Sequence, residues 1–388
     1  MKRWRAHFIL LASGLFVILL FALLLNLVVN PLRITPSPLT SSALDPYREI
    51  AGRMRTGKAG ILRSQSGWRV LFAGSSRIGH AFNPRDPGWH GKRVANLGLS
   101  GGFLYETNAM LRYALEENLP ECVIIGIDPT DLTSDYDSRD STDFAMSPLA
   151  GDGDAANREL RYLFGISMAE QSLKVLRRFA SGEKARYSPE GFRIHADDDA
   201  DEDNQLAFIR RHLQEETAPY LWSSPVRKEK ERLLENLVKD MKSRGIRVVL
   251  LYLPLHAVVY AHSSDEGADI IPFESERRLL CGLAARTGAE YWDFNDYHPV
   301  HCEPLPADAS ARMAHWNDLG HFTPQVGHRM VARIMNWPAD DRAEYGTQVT
   351  HENLSSHLAA VGRGYQRYLR QSGERDVKMK EELQEPVR

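Results

Sequence analysis

The chain has 388 residues, 43% hydrophobic and 26% charged, which is room for one large domain or two small ones. A formal net charge of −3 removes the electrostatic case for a nucleic-acid partner. The 14 His and 3 Cys residues are scattered and show no HExxH or CxxC spacing, so neither a metal nor a cofactor is expected.

Met1-Lys-Arg-Trp-Arg5 is basic, and Phe8 to Val29 is an almost unbroken apolar run without a charge. About 20 apolar residues span a bilayer core, whereas a secretory h-region is usually ~7–15 residues long and ends in a small-x-small site. No such site follows Leu25. Residues 1–30 therefore read as an uncleaved transmembrane helix, with a cleaved signal peptide as the alternative. Lys2, Arg3 and Arg5 place its start in the cytoplasm. With no second span, the remainder lies beyond the inner membrane, in the periplasm of a Gram-negative cell. In that compartment Cys281 and Cys302, which flank one helix–strand unit, could pair, although sequence does not give connectivity.

Asn30 to Leu44, rich in Pro, Ser and Thr, reads as an extended linker. Tyr47 to Leu62 reads as a lead-in helix, completing a segment 31–66. Val70–Ala73 has the length and content of a buried strand and stops at Gly74-Ser75-Ser76-Arg77. Val94-Ala-Asn-Leu-Gly-Leu-Ser-Gly-Gly102 is a second short strand entering a glycine-rich loop. Phe103 to Glu117 has helical periodicity, Pro120 breaks it, and Cys122 to Asp128 is a third strand. Strand, helix, strand at this spacing implies a parallel sheet with right-handed crossovers.

Thr130 to Pro225 interrupts the rhythm and reads as an insertion, a lid or substrate platform, with a helix around Met168 to Phe179. Its acidic cluster Asp197–Asp203 lacks the EF-hand glycine and glutamate and reads as a solvated loop. The pattern resumes with a helix over Arg227–Arg244, a strand over Arg247–Pro254, a helix over Phe273–Thr287 and a strand over Glu290–Phe294. His315 to Phe322 carries an Asp and a His, and Pro324 to Met335 is a helix with Pro in its first turn. The expected architecture is α/β, a flavodoxin-like three-layer sandwich with a mostly parallel five-stranded sheet over residues 67–338. Residues 339–388 add a peripheral helix, Val349–Leu369, and a disordered charged tail from Glu374.

In open α/β sheets ligands bind beyond the carboxyl ends of strands, so the hydroxyls after Ala73 stand where chemistry happens. A serine needs a base to take its proton, and the base needs a third group to orient it. Ser76, His321 and Asp318 supply these types, and Asp and His three residues apart on a turn can bond locally. Acyl transfer also needs oxyanion donors. The Ser76 amide is one candidate and Gly98, where a side chain would block backbone approach to a substrate, is the second. His315, Trp316 and Phe322 read as packing.

The order of these blocks resembles the SGNH/GDSL hydrolase superfamily. Gly74-Ser75-Ser76 matches its Gly-Asp-Ser block and puts the nucleophile at Ser76 rather than Ser75. Gly98 matches its second block, and Asp318-Leu-Gly-His321 its Asp-x-x-His block. The third block, Gly-x-Asn-Asp, departs: Gly126-Ile-Asp128-Pro129 puts a carboxylate where the family has an Asn donor, and an ionised carboxylate cannot donate. Gly74-Ser75-Ser76-Arg77 with an N-terminal anchor looks nearer to the membrane-bound branch of exopolysaccharide O-acetylation proteins, such as those acting on alginate. The resemblance implies a carbohydrate O-acetylesterase or O-acetyltransferase acting on a polysaccharide, with a membrane-bound acetyl donor or a secretion complex as partner. The alternative is a non-catalytic glycan-binding or assembly subunit that keeps the fold, and Asp128 is the feature favouring it.

Overall fold

The computed structural model describes residues 2–384 apart from 130, 135–138, 140, 152–153, 195–204, 208, 210–224, 261–270, 272, 309 and 339–344. The acidic cluster Asp197–Asp203 lies outside the described residues. The chain divides into two compact units, one of residues 1–67, 113–118 and 139–194, the other of 68–112, 119–138 and 195–388.

The first unit begins with α1 (Lys2–Val29), whose stretch Trp4–Val29 is long and apolar enough to cross a membrane. It ends where Asn30 turns left-handed (φ 44°), a conformation Asn tolerates better than most residues. Arg48 closes this end, its Nε and Nη2 donating to the Val29 carbonyl at 3.1 and 2.8 Å. Asn30–Leu44, expected as an extended linker, is folded: Leu32 and Ile34 are buried, and Arg33 Nε pairs with Asp45 at 3.0 Å. Composition suggested a tether, but two apolar side chains and an ion pair tie the segment down. α2 (Met54–Ser64) follows. There Gly60 is required, because a Cβ would collide with the Leu32 carbonyl.

The second unit holds the sheet: β1 (Val70–Ala73), β2 (Val94–Asn96), β3 (Cys122–Ile127), β4 (Arg247–Tyr252), β5 (Glu290–Asp293) and β6 (Thr347–Gln348), in the order β2-β1-β3-β4-β5-β6. The first five run parallel, and β6 joins β5 antiparallel. Every residue of β1, β2 and β3 is buried, as expected of parallel strands covered on both faces. Among the described residues the sheet therefore has six strands and not the five expected. A two-residue edge strand is too short to show periodicity, and it lies just before the segment read as helix.

The helices in chain order are α3 (Ser76–Ala81), α4 (Leu104–Glu117), α5 (Thr142–Met146), α6 (Ala155–Phe164), α7 (Ile166–Ser181), α8 (Lys228–Ser243), α9 (Glu274–Thr287), α10 (Pro324–Met335), α11 (Leu354–Tyr368) and α12 (Glu374–Gln384). Of these, α5–α7 and the last turn of α4 belong to the first unit. α10 packs on α3 closely enough that a Cβ on Gly327 would collide with the Ala81 carbonyl. The segment from Glu374, expected to be disordered, is helical to Gln384. Tyr368 Oη donating to Asp376 at 2.8 Å ties it to α11. Cys122, Cys281 and Cys302 are all free, so the Cys281–Cys302 pair is not formed. Cys281 is buried on α9, and Cys302 lies half-buried in the loop beyond β5.

Candidate active site

Chain direction across the sheet reverses at β1: the strand order 2-1-3-4-5 carries the chain outward to β2 and then back past β1 to β3. At such a switch point the loops leaving β1 and β3 diverge and open a crevice at their carboxyl ends. Ser76 follows β1 and Asp128 follows β3.

The Gly74 corner is tight. Its φ of 147° suits glycine, and a Cβ there would lie 2.8 Å from Ile78 and 2.9 Å from the Gly126 carbonyl oxygen. Ser75 caps α3, its Oγ accepting from the Arg77 amide at 3.3 Å, the usual task of an N-cap serine. Ser76 instead points to the imidazole, with Oγ 2.7 Å from His321 Nε2. His321 Nδ1 lies 2.7 Å from Asp318 Oδ2. The structure thus brings Ser76, His321 and Asp318 into one hydrogen-bonded line and gives Ser75 a structural task.

The Asp318–His321 turn is shaped by its ends. Trp316 and Phe322 face each other across an antiparallel bridge, and the Asn317 amide donates to the His321 carbonyl at 2.8 Å. Asp318 Oδ1 accepts from the Gly320 and His321 amides at 2.6 and 2.7 Å. Burial opposes ionisation of Asp318, but His321 and these amides outweigh it and hold the carboxyl well below the usual carboxylate range. One oxygen thus fixes the turn while the other fixes the imidazole.

Residues distant in sequence hold this turn in place. Arg77 Nε donates to the Gly320 carbonyl at 2.8 Å, and the His256 amide donates to Leu319 O at 3.0 Å. Gln205 Nε2 donates to the carbonyls of Trp316 and Asn317 at 2.6 and 2.9 Å, and its Oε1 accepts from the Met313 amide at 2.8 Å. His80 stacks on His321, ring centroids 4.8 Å apart. Sequence reasoning assigned no role to Arg77, His80, Gln205 or His256. Only Arg77 carried a signal, through its place beside Ser76.

Gly98 and Asp128 differ from expectation. The Gly98 amide donates to Asn96 Oδ1 at 3.0 Å, so it is engaged within its own loop instead of presented to a substrate. A Cβ on Gly98 would collide with the Gly79 amide and lie 2.7 Å from the Ser75 carbonyl oxygen. Its glycine is needed for close approach to α3. The Asp128 carboxylate, which the resemblance sets in the place of an Asn donor, is turned to Arg77: its Oδ1 pairs with Arg77 Nη1 at 2.9 Å. The Asp128 amide is taken by Asp131 Oδ2 at 2.9 Å. Asp131 is buried, and burial with the neighbouring Asp128 charge pushes its carboxyl up to about 8. Among the described residues no cluster of His, Cys, Asp or Glu could hold a metal ion.

No protein-family profile matches the chain, and no curated protein sequence does. Among solved structures, it is similar to a candidate acylhydrolase of Bacteroides fragilis NCTC 9343, at 12% identity and a TM-score of 0.32 over 75% of this chain and 88% of that one. It is also similar to a gut microbial diltiazem-metabolizing enzyme, at 16% identity and a TM-score of 0.31 over 70% of this chain and 47% of that one. The chain thus spans about half the length of this second structure.

Proposed function

We propose that the protein is a membrane-anchored serine acyl-ester enzyme, a carbohydrate O-acetylesterase or O-acetyltransferase acting on a polysaccharide outside the cytoplasmic membrane. The observation that carries the chemistry is the Ser76–His321–Asp318 line, with both links at 2.7 Å. His321 Nε2 takes the Ser76 proton as Oγ attacks the ester carbonyl, and returns it to the departing alcohol oxygen. That leaves an acyl-Ser76 ester. Water or a sugar hydroxyl, deprotonated by the same nitrogen, then attacks the acyl group and restores Ser76. Asp318, already ionised, stabilises the transient imidazolium.

Asp128 bears on whether this site can work. An unpaired carboxylate beside a developing oxyanion would repel it; the Arg77 guanidinium at 2.9 Å offsets that charge. The carbohydrate substrate and a membrane-bound acetyl donor or secretion-complex partner rest on the resemblance carried by Gly74-Ser75-Ser76, Gly98 and Asp318-Leu-Gly-His321. An uncleaved anchor is supported by the bonds that build the end of α1 into the first unit, Arg48 to the Val29 carbonyl among them. Cleavage after Val29 would remove these partners.

The engaged Gly98 amide favours the second reading, a glycan-binding or assembly subunit without efficient turnover, because it removes one expected oxyanion donor. The full chain in detergent, given a chromogenic acetyl ester and an acetylated polysaccharide, separates the two. Ester turnover supports the enzyme; glycan binding without turnover supports the subunit.

A further inference from the structure

Within the first unit, α1 is gripped near its end by α6 and α7. Asn26 Nδ2 donates to the Leu163 carbonyl at 2.9 Å, and Ser172 Oγ donates to Asn26 Oδ1 at 2.9 Å. Val29 is buried with Leu44 and Val175, and Leu25 and Tyr47 pack against them. Before this grip, side chains such as Phe8, Phe16 and Phe21 are exposed.

α7 also carries apolar side chains that its own unit leaves uncovered. Ile166, Leu173 and Leu176 share one helical stripe, with Ile166 80% and Leu173 54% exposed. Leu160 on α6 and Phe179 near the end of α7 are exposed as well. The stripe borders the face that buries Met168, Ser172 and Val175, while Glu170, Lys174 and Arg177 stand on the opposite flank. An apolar stripe with a charged, mostly basic flank suits a helix lying in a membrane interface.

Depth decides the partner. At about 1.5 Å per residue, Phe8 to Leu24 covers about 25 Å of a hydrocarbon core roughly 30 Å thick. The residues of α1 held by α6 and α7 therefore fall at the outer edge of that core. Interfacial helices settle ~5–10 Å into this same headgroup–acyl boundary.

We propose that α6 and α7 form a membrane-embedded foot, docking Ile166, Leu173 and Leu176 into the outer leaflet of the bilayer that α1 spans. The proposal rests on reading α1 as a span. The foot holds the first unit at a fixed depth, where a lone span would let it swing.

The test uses the full chain with Cys302→Ser, which removes the one native thiol that is not buried, in phosphatidylethanolamine–phosphatidylglycerol vesicles. Single cysteines replace Phe16, Ile166, Leu173 or Lys174 and carry an environment-sensitive fluorophore. Probes at Ile166 and Leu173 are expected to be quenched by spin-labelled acyl chains and shielded from aqueous iodide, and the probe at Lys174 to be quenched by iodide. A lipid-quenched Phe16 probe with iodide-quenched Ile166 and Leu173 probes overturns the foot and leaves the span standing. A Phe16 probe untouched by lipid quenchers overturns the span and the foot together. Shielding of Ile166 and Leu173 from both quenchers overturns a lipid partner in favour of a protein.

Discussion

Arg77 and Asp128 form an ion pair, Nη1 to Oδ1 at 2.9 Å, and the same guanidinium holds the Gly320 carbonyl one residue before His321. Through this arginine the Asp128 carboxylate is linked to the turn that carries His321. Asp128→Ala and Arg77→Ala are each expected to lower kcat about ten-fold, a change of about 1.4 kcal/mol, with KM little changed. Their double variant should cost far less than the sum, since both remove one linkage. Kinetics of the four proteins check this; an Asp128→Ala enzyme faster than the parent would mean that the charge only repels the oxyanion.

Gln205→Ala removes three hydrogen bonds to the segment carrying Asp318 and His321. Backbone groups left unpaired in the interior cost about 1–3 kcal/mol each. Lower thermal stability and slower turnover are expected together, and unchanged values of both would show that the clamp is dispensable.

Gly98→Ala distinguishes two reasons for a glycine. Because the added Cβ would meet the Gly79 amide, the variant is expected to lose about 1–3 kcal/mol of stability, as overpacked sites do. A fully stable Gly98→Ala protein with reduced turnover would return this position to substrate approach.

Asp131 gives a pH signature. Its carboxyl, raised to about 8 in the fold, has an ordinary unfolded value near ~3.9. Between these limits the folded state binds the extra proton, so this group's contribution to stability is lost as pH rises from about 4 to 8. Asp131→Asn removes that loss and is expected to raise Tm relative to the parent more at pH 8 than at pH 5. Melting curves at the two values test it; an equal shift at both would deny the raised carboxyl.

Ser76, Asp318 and His321 are legible in the sequence because each stands in a short motif whose geometry is local: a strand-end corner, and an i,i+3 pair on one turn. The central strands are legible because burial on both faces leaves apolar runs such as Val123–Ile125. β6 is not, since two residues carry no period. Gln205 and His256 are not, because their bonds go to backbone of a distant segment and place no demand on neighbouring residue types. Gly98 shows a subtler limit. Sequence marks the position as needing a glycine without saying what approaches it, and here it is α3.

The most direct measurement is to trap the acyl-enzyme. The full chain reacted briefly with an activated acetyl ester, quenched in acid and digested, is expected to carry one acetyl group on Ser76, with none on Ser75. Ser76→Ala and His321→Ala should carry none, and turnover should fall by orders of magnitude in both. Acetyl on Ser75, or unaltered turnover in Ser76→Ala, would contradict the assignment of Ser76 as the nucleophile served by His321.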